Sequence, residues 1–427
     1  MTQLAKLKYS PLKLGRWFVW GGTALLMIVL PLILTAGFSL TLMSQIGVGI
    51  IFALSYNMLL GQGGMLSFGH AVYSGLGAYF TVHALNLISK GAFYFPVTLT
   101  PLIGGLAGAV FGVIFGYVTT KKAGTTFAMI SLGIGEMVFA CSLMFSDFFG
   151  GEAGISTNRV IGESFLGVTY GPSLQVYYLI VGWALLCMVA MYAWTQTPLG
   201  RMANAVRDNP ERAEFVGYDT HMVRFLTLVL SGFFAGIAGG LSSINYEIVT
   251  AENVGAYRSA GVLIATFIGG AGFFFGPIIG SIVFFIMLTA VGSITQAWAF
   301  YLGLLFLLIV LYAPGGFASL IVMHVPVIKA RLMRRLWLPY AATLATGLVL
   351  LGGLISVVEM TYHFSIEAGT APGMKLFGIA FDVTHTTPWA VATGLLAGGF
   401  VISRLAWNAV GRAWSDIVHI LQARAAL

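Results

Sequence analysis

Ten stretches of this 427-residue chain are apolar for long enough to cross a bilayer, and that pattern narrows the possible folds more than any other feature. They fall at about 17–38, 40–60, 64–86, 96–119, 124–146, 176–195, 222–245, 297–313, 336–358 and 387–404, each near the ~20 residues a helix needs to cross a ~30 Å hydrocarbon core. Lipid offers no partner to a free backbone N–H or C=O, so apolar runs of this length must be helical. The chain is 58% hydrophobic and only 8% charged, against about 25% charged in soluble domains, which excludes a water-soluble globule. A further apolar region, 259–293, is interrupted at Gly269-Gly270-Ala271-Gly272 and at Gly276-Pro277. Two short spans or a re-entrant hairpin both fit it, and either returns the chain to the side it left. The expected fold is all-α: a polytopic membrane helix bundle with about ten spans plus a broken or re-entrant hydrophobic hairpin.

The formal charge of +7 would point to nucleic acid if it formed a patch. Its placement points to the membrane instead. With the N-terminus in the cytoplasm, 17 of the 21 Lys and Arg residues fall on the inner side, and only Lys90, Arg159, Arg258 and Lys375 remain outside. This is the positive-inside pattern, with both termini expected in the cytoplasm. The surplus meets anionic lipid of the inner leaflet, so no nucleic-acid partner is needed. Lys6, Lys8, Lys13 and Arg16 precede a first run that is too long for a signal-peptide core and lacks an A-x-A site, so it reads as a retained helix.

Several chemistries are missing. Cys141 and Cys187 sit in apolar runs and supply neither a disulfide framework nor zinc-site spacing. No lysine follows a glycine, which removes the P-loop, no histidine is followed by glutamate, and no serine lies in G-x-S-x-G. Neither catalytic residues nor a metal site are expected.

Three segments carry information. The first is the glycine cluster Gly61-Gln62-Gly63-Gly64-Met65-Leu66-Ser67-Phe68-Gly69-His70, which opens a span continuing to Tyr79. Non-helical backbone at membrane depth is tolerated where it is buried or lines a water-filled cavity, so the cluster fits a broken helix beside a transport path. Tight helix packing through small residues fits the same pattern. The second is the charged inner loop 197–220. Thr197-Pro198 and Asn209-Pro210 are helix-start signals and Gly217 a stop. They predict two short helices forming a cytoplasmic knob, with Met202, Phe215 and Val216 as apolar anchors for a groove on a soluble partner; a plain connector is the competing reading. The third is Glu136, the one acid within a clear span. It must be protonated or face other helices and water, in a pathway or in a structural hydrogen bond.

The outer loop 359–386 carries Glu359, Glu367 and Asp382 and joins the last two segments. In the tail from Leu405, Trp407, Val410, Trp414, Ile417, Val418 and Leu421 recur at helical spacing beside Arg412 and Arg424, as in an interfacial helix or an amphipathic packing helix.

Taken in order, "GQGGMLSFGHAVYSGLGAY", "SLGIGEMVF", "GGEAGIS", "TPLGRMANAVRDNPERAEFVGYD", "GFFAGIAGGL", "FIGGAGFFFGPIIG" and "YAPGGF" resemble the LivM-type permease of the branched-chain amino-acid family of ABC importers over most of residues 40–320. The resemblance implies a subunit of the bacterial inner membrane that pairs with a LivH-type permease. Two cytoplasmic ATPase subunits would supply ATP and Mg chemistry that this chain does not bind, and a periplasmic or lipid-tethered binding protein would deliver substrate. It implies ATPase coupling through Gly200, Arg201, Arg207, Asp208, Asn209, Glu211, Ala213 and Gly217. It implies a translocation path near Gly61, Gln62, Ser67, Gly69, His70, Tyr79, Glu136, Gly269, Gly270, Gly272, Gly276 and Pro277. Branched-chain amino acids are the default substrates in a family that extends to urea, amides and aromatic acids. Residues 1–320 then form the permease core, and 321–427 an extension with two further spans and the basic tail. An ion-coupled secondary transporter, motivated by Glu136 and the broken helices, and a non-transporting membrane scaffold are the competing functions.

Overall fold

A computed structural model describes residues 14–92, 94–161, 168–366 and 373–425, with side chains from Trp20 to Ala423. Lys6, Lys8, Lys13, Glu367 and the side chains of Arg16 and Arg424 lie outside the described residues. The chain forms two compact units, one of Met1–Val291 with Leu304–Ala318, the other of Gly292–Gly303 with Ser319–Leu427.

The first unit contains α1 (Leu14–Ile33), α2 (Gly37–Asn57), α3 (Ala71–Ser89), α4 (Thr100–Thr119), α5 (Gly124–Met144), the single turn α6 (Ser146–Phe149), α7 (Ser173–Gln196), α8 (Pro198–Asp208), α9 (Pro210–Phe215), α10 (Thr220–Tyr246), α11 (Ala256–Gly269) and α12 (Gly276–Phe285). A π-helical turn, Met58–Gln62, prolongs α2, and another, Ile286–Val291, prolongs α12. Two residue pairs form the antiparallel bridge of β1 (Ile155–Ser156) with β2 (Ile248–Val249). The residues of α13 (Trp298–Tyr312) and α14 (Gly316–Lys329) are divided between the two units. The second unit adds α15 (Met333–Ile366), a hairpin of β3 (Gly373–Leu376) and β4 (Ile379–Asp382), and α16 (Thr386–Ala425).

The all-α membrane architecture is realised. Among the described residues seven helices are long and apolar enough to span, or eight if α13 and α14, bent by 46° to each other, count as one. The expected ten are not all present as single long helices, for physical reasons. α3 starts only after a break and carries Ser74, Tyr79, Thr81, His83 and Asn86 among its apolar residues. α11 and α12 have 14 and 10 residues, short of the ~20 that span, and turn back on each other at 270–275. The chain thus breaks and reverses at the glycine interruptions, as both readings of them require.

Helix α2 is central to the first unit: Ile51, Leu54 and Tyr56, with Leu59 of its π turn, are fully buried along with Ile180, Met188 and Met191 of α7 and Leu228 of α10. Opposite, α4 and α10 meet through glycines four apart. A Cβ at Gly104, Gly108 or Gly236 would strike the facing backbone, and Gly77 of α3 closes the same three-way contact. With no hydrophobic drive between helices in lipid, such close backbone approach is what association relies on. The outward faces carry exposed Leu106, Val110, Ile114, Met129 and Leu186, as lipid contact requires.

In the second unit the tail is not a separate interfacial helix. α16 is continuous over 40 residues, about 60 Å at 1.5 Å per residue, roughly twice the hydrocarbon core. Its last turns bury Ile417 against Val327 and Leu336, with Trp414 and Leu421 alongside, which is the packing-helix alternative. Thr295 and Tyr301 donate to the Glu359 carboxylate at 2.7 and 2.8 Å, so this acid is held inside its own unit.

Candidate translocation path and coupling surface

The loop 197–220 forms the two short helices that its capping signals predict. Thr197 Oγ1 accepts from Gly200 N at 3.3 Å, Asn209 Oδ1 from Arg212 N at 2.9 Å, and Asp219 Oδ1 from Met222 N at 3.1 Å, while Pro198 and Pro210 occupy first turns. Gly217, at φ +94°, ends the second helix in a conformation that side-chain-bearing residues rarely adopt. Gly200, Ala203, Val206 and Ala213 are buried against the bundle. Arg201, Asp208, Asn209 and Glu211 are exposed, and Phe215 and Val216 stand out at 90% and 70% exposure. Met202 packs against the core instead of projecting.

The inner face of this knob grips the end of α2. Asn204 Nδ2 donates to Gln62 Oε1 at 2.7 Å, Arg207 donates to the Gly61 carbonyl and pairs with Asp208 at 2.9 Å, and the Arg207 stem lies over Gly64. Gly61 also abuts the carbonyl of Ala271 in the α11–α12 turn. That turn is packed backbone to backbone: Gly269 and Gly276 touch, and Gly270, at φ +108°, lies against Gly315. Pro277 is buried in the first turn of α12, and Gly272 faces open space. Knob, α2 terminus and hairpin turn therefore meet at one place.

From Gly63 to His70 the chain is not helical, and most of the segment is buried. Its polar backbone finds partners on three helices: Phe68 N donates to Ser131 Oγ of α5 and Ala71 N to Ser259 Oγ of α11, both at 3.0 Å, and Tyr56 Oη of α2 donates to the Ser67 carbonyl at 3.1 Å. Gly69 lets this segment lie directly on the backbone of α5 at Ser131. His70 is fully buried, stacked on Phe52 with ring centroids 5.4 Å apart and edge-on to Tyr56 and Tyr73. Ser55 Oγ donates to the Phe52 carbonyl at 2.7 Å, so at its 3.0 Å contact with His70 Nε2 the imidazole is the donor. Nδ1 is then the bare nitrogen, and it has no partner.

Beyond Phe52, toward the end of the bundle opposite the knob, lies a cavity of about 220 Å³ between α2, α10, α11 and α12. Phe52 forms part of its wall, so the broken segment and the cavity share a side chain. Arg258 enters it from α11, donating to Asn253 Oδ1 at 2.8 Å and Ser242 Oγ at 3.2 Å, with its guanidinium carbon 5.9 Å from the Phe52 ring centroid.

The expected path residues do not all converge. Gly61, Gln62, Ser67, Gly69 and His70 lie in one stretch of chain, whose Gly61 end touches the α11–α12 turn. Tyr79 packs on Phe149 at 4.9 Å in a separate cluster with Val138 and Val249, and its buried hydroxyl has no partner. Glu136 is exposed on the outer face of α5; Gly135 beside it touches Gly69. Arg258, Asn204 and Ser131 also take part in these contacts, and the sequence did not single them out. Arg258 was discoverable, because a charged residue at the edge of an apolar run obeys the same rule that singled out Glu136. Among the described residues no cluster of His, Cys, Asp and Glu could hold a metal.

The family model described as "Branched-chain amino acid transport system / permease component" matches residues 38–313. The chain belongs to this family. It is a membrane permease subunit of an ABC importer, not an enzyme, and the LivM-type resemblance is supported by its relatives. Similar proteins include the high-affinity branched-chain amino acid transport system permease protein LivM of Escherichia coli (strain K12), 28% identical over 62% of this chain and 67% of that protein. The corresponding permease protein BraD of Pseudomonas aeruginosa is 22% identical over 55% of this chain and 78% of its own length. The galactose/methyl galactoside import permease protein MglC of Salmonella typhimurium is 26% identical over 57% and 75%. No solved structure matches the chain.

Proposed function

We propose that this LivM-type permease carries branched-chain or related small amino acids inward, pairing with a LivH-type permease and driven by two ATPase subunits that bind ATP and Mg, with a binding protein delivering substrate. The observation that carries this reading is the two-faced knob. Phe215 and Val216 are exposed on an otherwise charged surface, as a helix seated in a groove of a soluble partner requires. The opposite face holds Gln62 and Gly61, so a displacement of α8 is passed to α2 and the hairpin turn. Arg201, Asp208, Asn209 and Glu211 face the ATPase, whereas Arg207 faces inward.

The positive-inside count supports an inner-membrane protein with cytoplasmic termini and the knob on the ATP side. The uncovered face of α5, with Gly133, Glu136 and Ala140 at helical spacing, is where the second permease would complete the path. Residues 1–320 act as the permease core and 321–427 as an accessory. Co-purification followed by reconstitution tests the proposal: a second permease and ATPases should accompany the chain, and leucine uptake should need ATP. Uptake by this chain alone, driven by a proton or sodium gradient without ATP, would refute it.

A further inference from the structure

We infer that the cavity around Arg258 is a substrate station inside the permease that holds a zwitterionic amino acid with an aliphatic side chain. The inference rests on reading the chain as an importer permease, and adds where substrate is held and by which groups. Arg258 is a cation within a membrane bundle, where charge is expensive unless it is answered. Among the described residues the one ion pair is Arg207–Asp208, so none of their carboxylates pairs with Arg258. Its two bonds, to Asn253 and Ser242, are to neutral oxygens. They fix the plane of the guanidinium and use two of its five N–H donors. The remaining fork matches the geometry of a planar carboxylate.

Two further features narrow the ligand. Glu252 also lines the cavity, is exposed at the rim and makes no ion pair, which supplies an anionic group for an ammonium. The rest of the wall is largely apolar, including Phe52, Phe284, Phe285 and Leu288. A volume of about 220 Å³ equals that of roughly seven waters at ~30 Å³ each, the scale of one small molecule. An amino acid with a branched aliphatic side chain meets a cation, an anion and an apolar surface at once.

The test uses the full chain purified with its partner subunits in lipid nanodiscs, without the binding protein. Binding of radiolabelled L-leucine is measured with unlabelled L-leucine, L-leucinamide and 4-methylpentanoate as competitors. Wild type should bind leucine saturably, and leucinamide, which lacks the carboxylate, should compete at least about tenfold more weakly, the scale of one charge-assisted hydrogen bond. Arg258→Gln should weaken leucine by at least about tenfold while leaving leucinamide unchanged, with Arg258→Lys intermediate; general structural damage would lower both ligands together. Glu252→Gln provides a second readout in which leucine weakens and 4-methylpentanoate, which lacks the ammonium, does not. The station is overturned if wild type shows no saturable leucine binding, or if the leucine-to-leucinamide ratio survives in Arg258→Gln, or in Arg258→Lys should the former not assemble. ATP-driven amino-acid uptake by the wild-type complex with its binding protein is scored separately. Its absence defeats the importer reading, whereas normal uptake with an unchanged ratio defeats only the station.

Discussion

If the knob transmits force to the path, cutting its two bonds to the end of α2 should separate ATP hydrolysis from transport. The perturbation is Asn204→Ala combined with Arg207→Ala. Asn204 contributes one neutral hydrogen bond to Gln62 at 2.7 Å, worth about 1 kcal/mol net. Arg207 contributes a charge-assisted bond to the Gly61 carbonyl; with its side chain 35% exposed, the low end of the usual range, about 1.5 kcal/mol, is appropriate. Together they bound the coupling free energy at about 2.5 kcal/mol, or roughly seventyfold in an equilibrium. Uptake per ATP hydrolysed should fall by up to that factor in the double variant and by about fivefold, or 1 kcal/mol, in Asn204→Ala alone.

The assay measures leucine uptake and phosphate release in the same proteoliposomes, so the ratio is independent of the amount reconstituted. Both bonds end on adjacent residues, so their losses need not add. A cycle with Gln62→Ala separates the Asn204–Gln62 term: once Gln62 is truncated, Asn204→Ala should cost little more. Wild-type uptake per ATP in the double variant would refute transmission through these contacts.

Other substitutions test the surrounding parts. Phe215→Ala removes an exposed ring with little packing to lose, so the melting temperature of the chain should stay constant while ATPase association weakens by about 2 kcal/mol, roughly thirtyfold, in pull-down titrations. Glu211→Arg alters an exposed charge without an internal partner and should uncouple uptake from hydrolysis with unchanged membrane levels; unchanged uptake would remove Glu211 from the ATPase contact. Gly280→Ala drives a Cβ into the Ala265 carbonyl, whereas Gly272→Ala meets nothing; the first should lower the melting temperature by the equivalent of about 2 kcal/mol and the second should not. Glu136→Leu relieves about 2.5–3.5 kcal/mol of insertion cost if this face lies in lipid. If the face lines a path completed by the second permease, uptake should instead fall at normal membrane levels.

How far these features were legible in the sequence depended on the range of the interaction that makes them. The caps at Thr197 and Asn209 are formed within three residues, so local rules find them. The interruption at 63–70 is also local, because its glycines announce a backbone that cannot stay helical. What ties that segment down is not local: Ser131 and Ser259 reach it from 63 and 188 residues away, a separation that no local rule bridges. The turn between α11 and α12 is local too, because its glycines mark where the helix breaks. The continuity of α16 was missed because apolar density falls after Leu405 although helical propensity does not.

Facing direction was the least legible property, and the reason is the solvent. In water an acid on a helix marks the outside, and periodicity separates core from surface. In lipid both faces of α5 are apolar, so the sequence places Glu136 at membrane depth without telling which way it points. The structure turns it outward, while the neighbouring Gly135 lies against Gly69. Arg258 shows the converse: counted as one of four basic residues outside, it is turned inward by Asn253 and Ser242. A positive-inside tally uses each exception only as a count against the rule, yet an exception carries the cost of an unanswered charge. In a chain with so few charges, the basic residue that topology does not need is the one whose position must be explained by something else, and the cavity beside it supplies that explanation.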